Sequence, residues 1–266
     1  MSSSRNPELH GWTPSKEWGQ NYLVNQGIVQ KIVDLIPPDF QGRIIEIGSG
    51  KGSLTKALIP KAAHLLAIEP HPESAMYLRS QMGMDPRFEL LEKDATCLDF
   101  APLMDGAQTF IVGNLPYCVA ARILFQLVLT ARGAAGWTLM FQREVAQRIV
   151  APPKGKEYGL LSVISQLSSS CRLCFHVQPG SFFPVPQVTS SVVHFQPFPE
   201  RSLDWQAFSR WLSRLFSMRR KQLGTILAAV LPPDRRSRIQ DSLDIRLRPE
   251  QLTPEEHLEL FLQLNG

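Results

Sequence analysis

The chain reads as an α/β protein: an open, Rossmann-like sheet whose last strand inserts antiparallel, followed by a small all-helical C-terminal domain. Three observations carry this. Short apolar runs at 43–47, 64–68, 88–92 and 110–112 alternate with helix-length segments, the pattern of βα units in a parallel sheet. Beyond the fourth run, strands outnumber the helices available for crossovers, so the final strand, Val192 to Phe195, is expected to return antiparallel. After Pro197 and Pro199 the sequence is helical, with no further Gly-rich turn. The expected domains are a flexible lead-in at 1–18, the sheet domain at 19–198 and the helical domain at 199–266.

In chain order, Gly19-Gln20-Asn21-Tyr22-Leu23 precedes a helical pattern of Ile28, Ile32, Val33 and Ile36, which Pro37-Pro38 ends. On their own, Gln20 and Asn21 read as helix capping. Arg43 to Ile47 is a short buried strand, followed by Gly48-Ser49-Gly50-Lys51-Gly52 and a helix from Ser53. Such a turn lets backbone N–H groups approach a ligand at the helix start. Its spacing departs from the dinucleotide fingerprint, and Glu46 precedes the first glycine. Glu-x-Gly-x-Gly-x-Gly suits a cofactor with a cationic amino-acid tail better than one with a pyrophosphate.

The strand His64 to Ile68 ends in Glu69, placed to accept both ribose hydroxyls of a nucleoside. Phe88 to Glu92 leads to Asp94 and Ala95, where Asp94 is placed to read an adenine amine. A fourth strand ends in Asn114. In a parallel sheet the ends marked by Gly48, Glu69, Asp94 and Asn114 line one crevice.

Gly113-Asn114-Leu115-Pro116-Tyr117 supplies the chemistry at that crevice. Pro116 disfavours the helical region for Leu115 and so fixes where the Leu115 carbonyl points. The Asn114 side-chain carbonyl and the Leu115 carbonyl can accept both N–H bonds of an exocyclic amine, freeing its lone pair, while Tyr117 stacks on an unstacked base. The matching electrophile is the methyl group of S-adenosylmethionine, which makes the sheet that of a class I S-adenosylmethionine-dependent methyltransferase. Phe182 and Phe183 precede a stiff Pro-x-Pro segment; one of them walls the base opposite Tyr117, or both are core.

In the C-terminal domain no acid occurs between Asp204 and Asp234, where Arg210, Arg214, Arg219, Arg220 and Lys221 fall. Phe208, Leu212, Leu215, Leu223, Ile226 and Val230 share one helical face, with Arg210, Arg214 and Lys221 opposite. Arg219 would sit on the apolar face of an unbroken helix. Either the helix breaks near Ser217-Met218 or Arg219 reaches across a domain interface. The acid-free basic face suits phosphates. Thr253-Pro254-Glu255-Glu256 starts the second of two closing helices.

The net charge of +4 permits nucleic acid without requiring it. Four cysteines without paired spacing argue against a disulfide framework and for a reducing compartment. Cys171-x-x-Cys174 has metal spacing but no second pair, and in a strand its thiols face opposite sides, so no metal is expected. No targeting pattern opens the chain and no apolar run reaches membrane-spanning length, so a cytoplasmic protein with no membrane association is expected.

With these motifs in place the chain resembles the ribosomal RNA adenine N6-dimethyltransferase family, in its bacterial small-subunit branch. The likeness runs from Gly19 through Glu46–Gly52, Asn114–Tyr117, Gln142–Ile149, Tyr158–Val163, Phe182–Pro186 and Phe216–Lys221. It implies that Asn21, Leu23, Gly48, Glu69, Asp94 and Asn114 contact S-adenosylmethionine, with Glu46, Gly50 and Ala95 in the same site. It further implies that Asn114, Leu115, Pro116, Tyr117 and Phe182 hold the target adenine. The implied activity is N6,N6-dimethylation of two adjacent adenosines in the 3′-terminal helix loop of 16S rRNA. The implied partner is the 30S subunit or its precursor, with the enzyme a monomer acting in small-subunit biogenesis. Tyr22 stands where the family usually has Phe, and Thr189 where an Asp is common. The alternatives are methylation of 23S rRNA as in the related resistance methyltransferases, a non-enzymatic role in ribosome assembly, and the organellar transcription-factor branch, which would need a presequence.

Overall fold

The computed structural model describes residues 20–104, 108–199, 201–230 and 244–265. The expected lead-in at 1–18 and Gly19 lie outside the described residues. By contacts the chain forms two compact units. One holds the residues up to Ala146 with Leu173–Phe195, the other Gln147–Arg172 with the residues from Gln196 onward.

The described strands are β1 (Tyr22–Leu23), β2 (Arg43–Ile47), β3 (His64–Ile68), β4 (Phe88–Leu91), β5 (Thr109–Asn114), β6 (Gly136–Gln142), β7 (Ser169–Val177), β8 (Phe182–Phe183) and β9 (Ser190–Pro197), with β1 to β6 and β8 wholly within the first unit. Seven of them form one sheet in the order β4-β3-β2-β5-β6-β9-β7. Strands β2 to β6 pair parallel, and β9 lies antiparallel on β6, with Ser190 opposite Gln142 and Phe195 opposite Trp137. The antiparallel insertion expected from the sequence is therefore present. β2 and β5 are buried almost end to end, because helices cover both faces of a parallel sheet. β1 and β8 form a separate antiparallel pair, Tyr22 opposite Phe183 and Leu23 opposite Phe182.

Helix α1 (Gln26–Val33) is capped by Asn25, whose side-chain oxygen accepts from the Ile28 N–H at 3.2 Å. The capping role considered for Gln20 and Asn21 thus belongs to Asn25. Helix α2 (Ser53–Leu58) starts from Gly52, which is left-handed at φ 78°. Helices α3 (Pro72–Met82) and α4 (Ala120–Thr130) make crossovers, and α5 (Arg143–Ile149) follows β6 directly. One apolar cluster of the unit packs Val29, Ile32 and Val33 of α1 with Leu54 and Leu58 of α2 and Ile44, Leu65 and Phe110 of the sheet.

In the second unit α6 (Leu160–Ser168) packs on α7 (Trp205–Ser217) and on α9 (Pro254–Asn265). Residues 147–172, read from sequence as part of the sheet layer, are grouped by contacts with these helices. α7 buries Phe208, Leu212 and Leu215, and Phe208 meets Phe261 edge to face at 5.2 Å. The helix does break after Ser217. α8 (Leu223–Val230) restarts with its first amides bonded outside itself, Leu223 N–H to the Leu247 carbonyl at 2.7 Å and Gly224 N–H to Ile245 at 2.8 Å. Of the two closing helices expected, the first is a single 3₁₀ turn, Pro249–Gln251. α9 begins with a reciprocal cap: Thr253 N–H donates to the Glu256 carboxylate at 2.7 Å, and Glu256 N–H to the Thr253 hydroxyl at 3.2 Å.

Candidate active site

The site lies where the strand order reverses. The chain runs outward from β2 to β3 and β4, then returns to lay β5 on the other side of β2, which opens a crevice at the carboxyl ends. A cleft of about 710 Å³, counting its open mouth, occupies that place. Asn21, Leu23 of β1, Glu46, Gly48, Gly50, Glu69 and Asn114 through Tyr117 all line it. A second, more apolar pocket contains Asp94 and Ala95 together with Ile47, Ile68 and Ile123, and shares Gly48, Pro70 and Pro116 with the first. The four strand ends picked out in the sequence are therefore brought together, Asp94 and Ala95 in the adjoining apolar lobe.

The Gly-rich turn is shaped for close approach. Gly48, Gly50 and Gly52 all have positive φ, at 73°, 53° and 78°. A Cβ on Gly50 would stand 3.0 Å from two ring carbons of Tyr22. The turn is held to the next strand by Glu69, whose two carboxylate oxygens accept from Gly50 N–H at 2.7 Å and His71 N–H at 2.9 Å. Burial pushes the Glu69 carboxyl up, and these two amide bonds oppose it.

Glu46 is more deeply enclosed, 1% exposed, and accepts from the Thr55 hydroxyl at 2.6 Å. Burial raises its carboxyl from 4.5 to about 7, against the Thr55 bond. The unfolded chain loses this proton near 4.5 and the folded chain near 7. Glu46 therefore contributes stability that is full below pH 4.5 and lost as pH rises through 7, about 3 kcal/mol across the window. Glu69 adds to the slope with the same sign. Glu46→Gln should flatten the Glu46 share, read as the difference between variant and wild-type urea-unfolding free energies from pH 5 to pH 8. Equal slopes in the two proteins would show that Glu46 ionises at its ordinary value.

At the end of β5, Asn114 donates through Nδ2 to the Asn21 carbonyl at 3.0 Å. That bond assigns the amide orientation and leaves Oδ1 as the acceptor of the side chain. Tyr117 stands on the turn that follows, its hydroxyl 2.6 Å from Ser190 Oγ of β9. Lys51 also lines the cleft, 8% exposed, with Nζ 4.5 Å from the centre of the Tyr77 ring, and burial pushes its ammonium down.

Phe182 does not line the cleft. Its ring is 2% exposed and belongs to the apolar cluster with Leu23 and Val177, whereas Phe183 is 42% exposed. Opposed residues of an antiparallel pair share a face, so Phe182 lies on the face of Leu23 and Phe183 on that of Tyr22, and both of these β1 residues line the cleft. Of the two readings the sequence offered for Phe182, a wall of the base site or core, its burial in this cluster fits the second. Phe182→Ala should destabilise the fold by about 3–5 kcal/mol, and Phe183→Ala by about 0.5 kcal/mol or less, both read by urea unfolding. Equal effects would remove the distinction.

Among the basic candidates, Arg210, Arg214, Arg219, Arg220 and Lys221 are all exposed. Arg219 bonds the Glu250 carboxylate at 3.1 Å and the Lys156 carbonyl at 3.2 Å, so part of its fork is used within the second unit. Sequence reasoning missed Thr55 and Ser190, which partner Glu46 and Tyr117. Their sequence separations follow from the tertiary fold and leave no local signature.

Comparison with known proteins decides between the chemistries such a cleft permits. The family model for ribosomal RNA adenine dimethylase matches residues 13–265. The chain belongs to the ribosomal RNA adenine dimethylase family. Within that family it is 36% identical over 262 residues to Ribosomal RNA small subunit methyltransferase A of Magnetococcus marinus, covering 97% of this chain and 92% of that one. It is 34% identical to the protein of the same name from Pseudomonas aeruginosa, with 97% of each chain covered. A dimethyladenosine transferase from Plasmodium falciparum shares the fold with a TM-score of 0.76 at 22% identity, covering 91% of this chain and 97% of that one. The 23S rRNA methyltransferase ErmE does so at 0.68 and 20%, covering 92% and 100%. Family and fold together imply a methyl donor of the S-adenosylmethionine type. No helix among the described residues is long and apolar enough to cross a membrane.

Proposed function

We propose that this chain transfers methyl groups from S-adenosylmethionine to N6 of two adjacent adenosines in the 3′-terminal helix loop of 16S rRNA, four transfers in all. The observation that carries the reading is the Asn114 amide, turned by the Asn21 carbonyl so that its oxygen is the acceptor, beside Tyr117 in the cleft.

The residues present fit the donor. Gly48 and Gly50 form a cradle that a Cβ would fill, Glu46 is an acid for an ammonium tail, Glu69 an acid for ribose hydroxyls, and Asp94 with Ala95 closes an apolar lobe for a purine. When bound, S-adenosylmethionine supplies an electrophilic methyl on a sulfonium. Asn114 Oδ1 and the Leu115 carbonyl accept the two N–H bonds of the target amine before the first transfer, and one of them accepts the remaining N–H before the second, drawing the lone pair out of conjugation. Pro116 holds Leu115 extended, and Tyr117 offers its face to the base. No strong general base is required, because the alkylated amine carries an extra positive charge and loses a proton readily to water. The side chains contribute alignment and acceptor placement.

The exposed arginines of α7, Arg210 and Arg214, with Arg220 and Lys221 beyond it, support a phosphate-binding role for 199–266. The names of the small-subunit relatives favour 16S over 23S rRNA as substrate. The reading includes a monomeric enzyme acting on the 30S subunit or its precursor in the cytoplasm. The test is transfer of labelled methyl from S-adenosylmethionine to 30S subunits from cells lacking the family enzyme, with 50S subunits alongside. Label confined to 30S supports the reading. Label in 50S moves the substrate to 23S rRNA, and binding without label makes the chain an assembly factor.

A further inference from the structure

Tyr117 is not held by a strand ladder. It sits on the turn between β5 and α4, with Pro116 before it and the exposed Cys118 after it. A ring that must present one face to a flat base needs its tilt fixed, and backbone alone does not fix it on a turn. What ties this ring down is a single bond from its far end, the phenol oxygen to Ser190 Oγ at 2.6 Å.

Ser190 is a firm anchor. It is fully buried and opens β9, directly opposite Gln142 at the end of β6. The residue before it is tied to the same place, since Arg143 N–H donates to the Thr189 carbonyl at 2.9 Å. The segment around Thr189, where the family often has Asp, is therefore pinned here through the Thr189 backbone and the Ser190 hydroxyl. β6 in turn pairs with β5, with Asn114 opposite Met140, so the sheet links the anchor to the amide at the cleft.

We infer that Ser190 is a positioning residue for methyl transfer, fixing the tilt of the Tyr117 ring relative to Asn114 through the hydroxyl-to-phenol bond. The inference rests on reading Tyr117 as the face that stacks on the target base. Burial pushes the Tyr117 phenol up, so it stays protonated at neutral pH and able to donate to Ser190.

The test is a kinetic double-mutant cycle with Ser190→Ala and Tyr117→Phe on 30S substrate, with cofactor affinity measured by titration calorimetry. Each single variant should lower kcat about ten- to a hundredfold, leaving the cofactor Kd unchanged and the RNA KM within a few-fold. The double variant should be no slower than either single one, because both remove the same bond. Tyr117→Phe leaves β9 untouched, so it decides the question even if Ser190→Ala folds poorly. Wild-type kcat in Tyr117→Phe, or multiplicative losses in the double variant, would overturn the inference while the functional reading stands. Absence of transfer by the wild-type chain would overturn that reading and the inference with it.

Discussion

Asn114→Ala should abolish methyl transfer in practice, with kcat expected to fall about 10²–10³-fold and cofactor affinity to stay within a few-fold. The amide nitrogen of Asn114 is spent on the Asn21 carbonyl at 3.0 Å, which leaves the oxygen for the incoming amine. Truncation removes an acceptor that acts where positive charge develops on N6, so its loss should appear in kcat. Asn114→Asp is the informative companion. A carboxylate keeps the acceptor but cannot donate to Asn21, so the group loses its fixed orientation and kcat should fall between the two extremes. Single-turnover rates and calorimetry on the same preparations separate the two quantities. Parallel loss of cofactor binding would make Asn114 chiefly a cofactor ligand.

Glu69→Gln should produce the opposite split. Its two oxygens already accept from Gly50 and His71, so the carboxylate holds the Gly-rich turn, and in the proposed function it also takes the ribose hydroxyls. The amide has nearly the same shape but only one acceptor oxygen, so one of these bonds is lost and charge assistance with it. A hydrogen bond to a charged group is worth about 1.5–3 kcal/mol, so cofactor Kd should weaken about 10- to 150-fold. At saturating cofactor, kcat should stay within a few-fold. An unchanged Kd would mean that Glu69 serves only to hold the turn.

Much of this site was legible in the sequence because strand ends are. Gly48, Glu69, Asp94 and Asn114 each follow an apolar run, and a parallel sheet delivers all such ends to one edge. The break after Ser217 was legible as a misfit, since Arg219 could not share a face with Leu212 and Leu215. Which of Phe182 and Phe183 faces the core was not. In a two-residue strand the face depends on register with Tyr22 and Leu23, some 160 positions earlier, and a slip of one residue exchanges the two rings. Thr55 and Ser190 were invisible for a related reason: a hydroxyl acquires its role only when tertiary structure brings it to a carboxyl or a phenol. The grouping of 147–172 with the C-terminal helices was hidden too. The apolar face of α6 reads the same whether it covers a sheet or other helices.

The measurement that bears most directly on the central claim is mass-spectrometric mapping of the methylated nucleotides after reaction with 30S subunits lacking the modification. The expected result is N6,N6-dimethyladenosine at two neighbouring positions in the 3′-terminal helix loop of 16S rRNA, and none with Asn114→Ala. Methylation at another atom, in another RNA, or undiminished in that variant would contradict the account.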